Sequence, residues 1–176
     1  MSDVAATCDE LRHVDMTRVA VAFSQARYSS PGGVQATIRP LRFPDGGRVL
    51  ERGGATWEMP RVVVNGIEVL YVVEFRLPRF LLAPFDERMG TVVHEMYHIG
   101  PTCDGTLRRF AGGKPYHTGS RKRYDAVMGE IARGYLARTR RPELHAFLRQ
   151  SLQELTAAHG GVVGLRFRRL RPRRIR

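Results

Sequence analysis

Residues 89–99 constrain this chain most, because they read as a helix that is apolar except where two histidines and a glutamate interrupt it. Met89, Val92, Val93, Met96 and Tyr97 recur at helical spacing around the run His94-Glu95-Met96-Tyr97-His98. Asp86 can cap the helix, Glu87 places an acid in its first turn, and Gly100-Pro101 stops it. A helix over residues 86–99 is therefore predicted, partly buried, with the polar run on it rather than in a loop.

The remaining elements are read from periodicity and turn chemistry. Leu11, Val14, Val19, Ala22, Phe23 and Ala26 recur at spacings near three and four, which predicts an amphipathic helix over residues 9–28. Partial alternation over 34–43 predicts a strand, and Gly53-Gly54 a loop. Two β-branched runs, 61–64 and 67–75, flank Asn65-Gly66, the dipeptide of a type I′ turn, and predict a hairpin. Residues 77–85 contain two prolines and read as an irregular connection. A Gly- and Pro-containing loop is expected over 101–119, of a length that is usually functional or disordered. Helices are expected over 121–139, with Ser120 as cap, and over 143–158, ended by Gly160-Gly161. Residues 162–167 read as a closing strand or as the start of a basic tail.

A chain of 176 residues fits one domain. It holds no apolar run of membrane-spanning length. Its start lacks the basic and apolar regions of a secretory signal. With only Cys8 and Cys103, a disulfide framework is not expected, and the cytoplasm is the expected compartment. The formal charge is +12, and residues 166–176, bounded by Arg166 and Arg176, contain seven Arg and no acid. The domain is accordingly expected over 1–165, followed by a flexible basic tail. Two readings of the tail stay open: an Arg-biased composition, or a segment that meets phosphate through paired guanidinium hydrogen bonds.

On a helix, His94 and His98 lie one turn apart on the same face and can reach one ion at about 2.0–2.1 Å. Glu95 is turned about 100° from His94. It is poorly placed as a further ligand but well placed to take a proton from a zinc-bound water as that water attacks a carbonyl. The expected cofactor is one Zn2+ per chain. A catalytic zinc takes three protein ligands and keeps an open position. His117, in the loop after the helix, is the first choice for the third. Glu130, on the following helix, is the alternative, with Asp125 and Asp104 as weaker candidates. Cys103 would instead suggest a closed structural site in which Glu95 has no task. Tyr116, beside His117, is a candidate donor to the oxyanion formed during attack. His13, His145 and His159 read as surface or cap residues.

With these residues identified, the chain resembles the zincin-type metallopeptidases. More narrowly, Val92-Val93-His94-Glu95-Met96-Tyr97-His98-Ile99, Gly105-Thr106-Leu107-Arg108-Arg109 and His117 resemble the phage metallopeptidase group. That resemblance implies a minimal α+β zincin fold, with a small, mostly antiparallel sheet packed on the active-site helix and flanking helices. It also implies that His117 completes the zinc site and that the substrate is a protein or peptide, laid along a sheet edge such as the 61–75 hairpin. A looser likeness to SprT-type peptidases, which act on DNA-bound proteins, rests on the same five residues and the basic charge. The alternatives are a nucleic-acid-associated protein that binds phosphate through residues 166–176, and a non-catalytic protein with a structural zinc.

Overall fold

In the computed structural model, which describes residues 1–27, 30, 32–109, 121–167 and 170–176, the first segment departs from the helix expected over 9–28. A short helix, α1 (Ser2–Thr7), and two 3-10 turns lead into a strand, β1 (Val19–Gln25). Val19, Val21 and Phe23 fall on one face of that strand and Ala20 and Ala22 on the other. The residue types fit both periods, and a partner strand along the whole of β1 decides for the extended form.

The chain continues through β2 (Ala36–Pro40) to a hairpin, β3 (Val49–Arg52) and β4 (Ala55–Glu58), which the sequence showed only as its Gly53-Gly54 turn. Next come β5 (Val62–Val64) and β6 (Ile67–Val69), joined through Asn65 and Gly66 at φ 51° and 78° as the expected type I′ turn requires. The second run of that hairpin does not stay together. Residues 67–69 pair back on β5, and β7 (Tyr71–Leu77) becomes the centre of a separate sheet ordered β1-β7-β2. β1 runs parallel to β7 and β2 antiparallel, with Val21 and Ile38 both opposite Val73. Tyr71, Val72 and Val73 are fully buried, as expected of a central strand covered on both faces.

Helices cover one face. After α2 (Arg79–Leu82), α3 (Phe85–Tyr97) packs its Met89, Val92, Val93 and Met96 into the same core as Tyr71, Val73 and Phe75. α4 (Arg121–Arg138) lies along α3. The helix expected over 143–158 is broken into α5 (Glu143–Ala146), a 3-10 turn, and α6 (Leu152–His159). The break occurs because Ser151 and Glu154 form a reciprocal capping box that starts α6 anew.

The opposite sheet face is covered by a second core of Ala20, Ala22, Leu41, Val69 and Val72, against which Phe167 and Leu170 pack. The Leu165 carbonyl accepts from Phe23 N–H. β8 (Arg173–Arg174) then adds to β4, where Arg173 donates to the Glu58 carboxylate at 2.7 and 3.1 Å. Residues 166–176, expected as a flexible tail, thus supply a strand and core contacts. The fold is α+β with small, mostly antiparallel sheets. Among the described residues, no helix is long and apolar enough to cross a membrane.

Candidate metal site

α3 carries the site, and its position is fixed at both ends. Asp86 and Glu87 put acids at the positive end of the helix, where Pro84 is the first flanking residue. Arg88, buried, donates to the carbonyls of Ala83, Leu148 and Gln150 at 2.6 Å and of Leu81 at 2.5 Å. One guanidinium therefore satisfies four main-chain acceptors and ties α3 to the segment before α6. At the other end, Arg108 N–H donates to the His98 carbonyl and its guanidinium to the Tyr97 carbonyl, both at 2.8 Å. That guanidinium also stacks over the Tyr97 ring at 4.2 Å.

Residues 100–108 are ordered by direct contacts rather than forming part of a loose loop. Tyr71, on the central strand, donates its hydroxyl to the Thr106 carbonyl and accepts from Gly105 N–H. Gly100 N–H donates to the same Thr106 carbonyl, and a Cβ at Gly100 would come within 2.9 Å of that oxygen. Asp104 accepts from Thr102 and Thr106, which occupies it inside this turn. Cys103 is a buried free thiol whose sulfur accepts from Asp15 N–H.

The motif residues meet as their helical spacing requires. The His94 and His98 rings lie 4.8 Å apart between centroids and are inclined by 69°. The first turns of α4 close over them. The Tyr124 ring stands edge-on to His94 at 5.1 Å and nearly parallel to His98 at 6.2 Å. Asp125 Oδ1 lies 3.4 Å from His94 Nδ1. Burial holds the Tyr124 hydroxyl well above the usual phenol range, with the neighbouring Tyr97 hydroxyl acting in the same direction.

Glu95 is 7% exposed. Burial pushes its carboxyl up to about 7, against the opposing effect of a hydrogen bond from the Ile38 backbone. That bond identifies the sheet edge beside the site. Residue 35 is hydrogen-bonded across to 76 on β7, and residue 41 to 70, just before β7 begins. By alternation, Ala36 and Ile38 turn their N–H and C=O groups away from β7, toward the outer edge of the sheet, which among the described residues no further strand covers. Pro40, which has no N–H, falls on the same outward register. The edge beside the site is therefore β2, not the 61–75 hairpin.

His117 and Tyr116 lie outside the described residues. Glu130 is exposed on α4, about 200° around the helix from buried Met128, whereas Asp125 of α4 reaches His94. Among the described residues, no group of three or more His, Cys, Asp and Glu is arranged to hold a metal ion. The chemistry of the pair fits zinc nonetheless: two imidazoles one turn apart, with a carboxylate against one of them. Asp125 drew little weight from sequence because an acid in the first turn of a helix is common on any solvated surface. Tyr124 lies four residues before buried Met128 on the apolar side of α4, a spacing that signals packing rather than a site.

No family model matches the chain, and no curated protein and no solved structure shows significant similarity to it. The geometry of the site carries the functional reading.

Proposed function

We propose that this protein is a zinc-dependent hydrolase of peptide bonds, with His94 and His98 as metal ligands and Glu95 as the general base. The observation that carries this reading is the adjacency of the two histidine rings to a buried carboxyl on the same helix, beside an open strand edge. His117 is favoured as the third ligand. Bound zinc supplies Lewis acidity, polarising a carbonyl oxygen and making water acidic near neutral pH.

The chain's own groups do the rest. Glu95 takes a proton from the attacking water onto a carboxylate oxygen and hands it to the departing amine. A carboxyl pushed up to about 7 by burial suits both transfers near neutral pH. Asp125 orients the His94 ring through Nδ1, leaving Nε2 for the metal. An extended peptide pairs with the outward N–H and C=O groups of Ala36 and the outward C=O of Ile38 on β2, while Ile38 N–H holds Glu95, which brings the peptide main chain past that carboxyl.

The test is metal analysis after purification without added chelator, with hydrolysis of an unfolded protein substrate measured on the same sample. One zinc per chain is expected. His94→Ala and His98→Ala should each lose the metal and the hydrolysis together. Full zinc content in both variants would overturn the assignment.

A second property is favoured by the exposed Arg166, Arg171, Arg174 and Arg176. They carry positive charge along a docked segment rather than a loose one, and they suit non-specific contact with nucleic-acid phosphates.

A further inference from the structure

On the far side of α3 from the histidines lies a cavity of about 420 Å³, lined by Phe23, Phe75, Phe80, Met89, Val92 and His145 among others. Val92 and His94 are two residues apart, about 200° around the helix, so this space does not communicate with the metal site through the same helix face. An apolar cavity of about 150 Å³ holds a benzene molecule, so this one has room for a fused two-ring aromatic body.

His145 makes this more than a packing defect. It is 7% exposed, and neither ring nitrogen has a hydrogen-bond partner among the described residues. Its ring is held by aromatic neighbours instead, Tyr135 at 5.7 Å and Phe85 at 5.8 Å between centroids. Asp3, which also borders the cavity, is already engaged by the Tyr135 and Thr139 hydroxyls. A buried imidazole without partners is costly unless something else meets it. A neutral imidazole offers a donor at one nitrogen and an acceptor at the other. A hydroxyl answers either one, because it both donates and accepts.

We infer that this cavity is a binding site for a small aromatic molecule bearing a hydroxyl group, with the ring among the phenylalanines and the hydroxyl on His145. The site is independent of the zinc site and needs no metal.

The experiment titrates the full-length protein with naphthol and with naphthalene, following probe fluorescence. Saturable binding of naphthol at one per chain is expected, about fivefold tighter than naphthalene, the effect of one net hydrogen bond. His145→Phe should abolish that preference while naphthalene still binds. Val21→Trp, which fills the space from β1, should block both probes, and Glu95→Gln should change neither affinity. Absence of saturable binding by the unaltered protein would overturn the inference. So would an undiminished naphthol preference in His145→Phe, which decides the matter even if Val21→Trp fails to fold.

Discussion

His94 Nδ1 lies 3.4 Å from Asp125 Oδ1, a polar contact that, beside the packing of Tyr124 on both histidine rings, ties the motif helix to the first turns of α4. It fixes which imidazole nitrogen is left to face a metal. Outer partners of this kind are worth about 10–100-fold in metal affinity. Asp125→Ala should therefore weaken zinc binding by about that factor in chelator competition. Glu130→Ala, on the exposed side of the same helix, should leave it unchanged. Equal affinities in the unaltered protein and Asp125→Ala would contradict this role.

Glu95 gives the metal-free protein a specific pH dependence. Its folded carboxyl is raised from an ordinary 4.5 to about 7, so the folded state favours the protonated form. The associated stability is fully present below about 4.5 and is lost as pH rises through about 7. The difference corresponds to about 3 kcal/mol at full effect. In urea unfolding of chelator-treated protein, Glu95→Gln should be the more stable chain at pH 8 and should gain nothing at pH 4. A constant offset between the two chains across that range would show that burial is not the cause.

Arg88 supports the site from behind. Replacing it by Met keeps a long side chain but leaves three buried carbonyls and the half-buried one of Gln150 without their donor. A loss of about 3 kcal/mol in unfolding free energy is expected. A shift in the denaturation midpoint no larger than that of a surface substitution would count against the anchoring role.

The C-terminal segment separates two expectations. Deleting residues 166–176 removes β8 and the packing of Phe167 and Leu170 on the second core, so the melting temperature should fall by several degrees. A merely appended tail would leave it unaltered. Changing Arg171, Arg174 and Arg176 to Gln preserves the segment and should reduce the salt slope of DNA binding by about one for each arginine that meets a phosphate. An unchanged slope would exclude these three from the interface.

Much of this arrangement was legible where local chemistry and tertiary packing agree. The α3 helix, the Asn65-Gly66 turn, α4 and the left-handed Gly160 end follow from apolar spacing and stop signals, although α3 starts at Phe85 after Pro84 without the cap expected from Asp86, and Ser120 lies outside the described residues. The failures occurred where a distant partner decides. Residues 19–25 fit a helix or a strand until β7 is available to pair with them. The run 67–75 looks continuous, yet it changes sheets at Leu70, whose N–H is taken by Arg18 O and whose carbonyl is taken by Leu41 N–H. The tail's charge concealed its strand, because the complement to Arg173 is Glu58, more than a hundred residues away.

The same division runs through the site. His94, Glu95 and His98 were legible because four-residue spacing alone brings the histidines together. Asp125 and Tyr124 acquire meaning only when α4 is laid on α3, and His145 is held by rings from two other segments, Phe85 of α3 and Tyr135 of α4.

Turnover of zinc-loaded Glu95→Gln is the most direct measurement of the central claim, since the substitution keeps the side chain's shape and both histidines. The account predicts one zinc per chain, as in the unaltered protein, with hydrolysis reduced by about 10²–10⁴-fold. Full hydrolysis by Glu95→Gln at equal zinc content would contradict it.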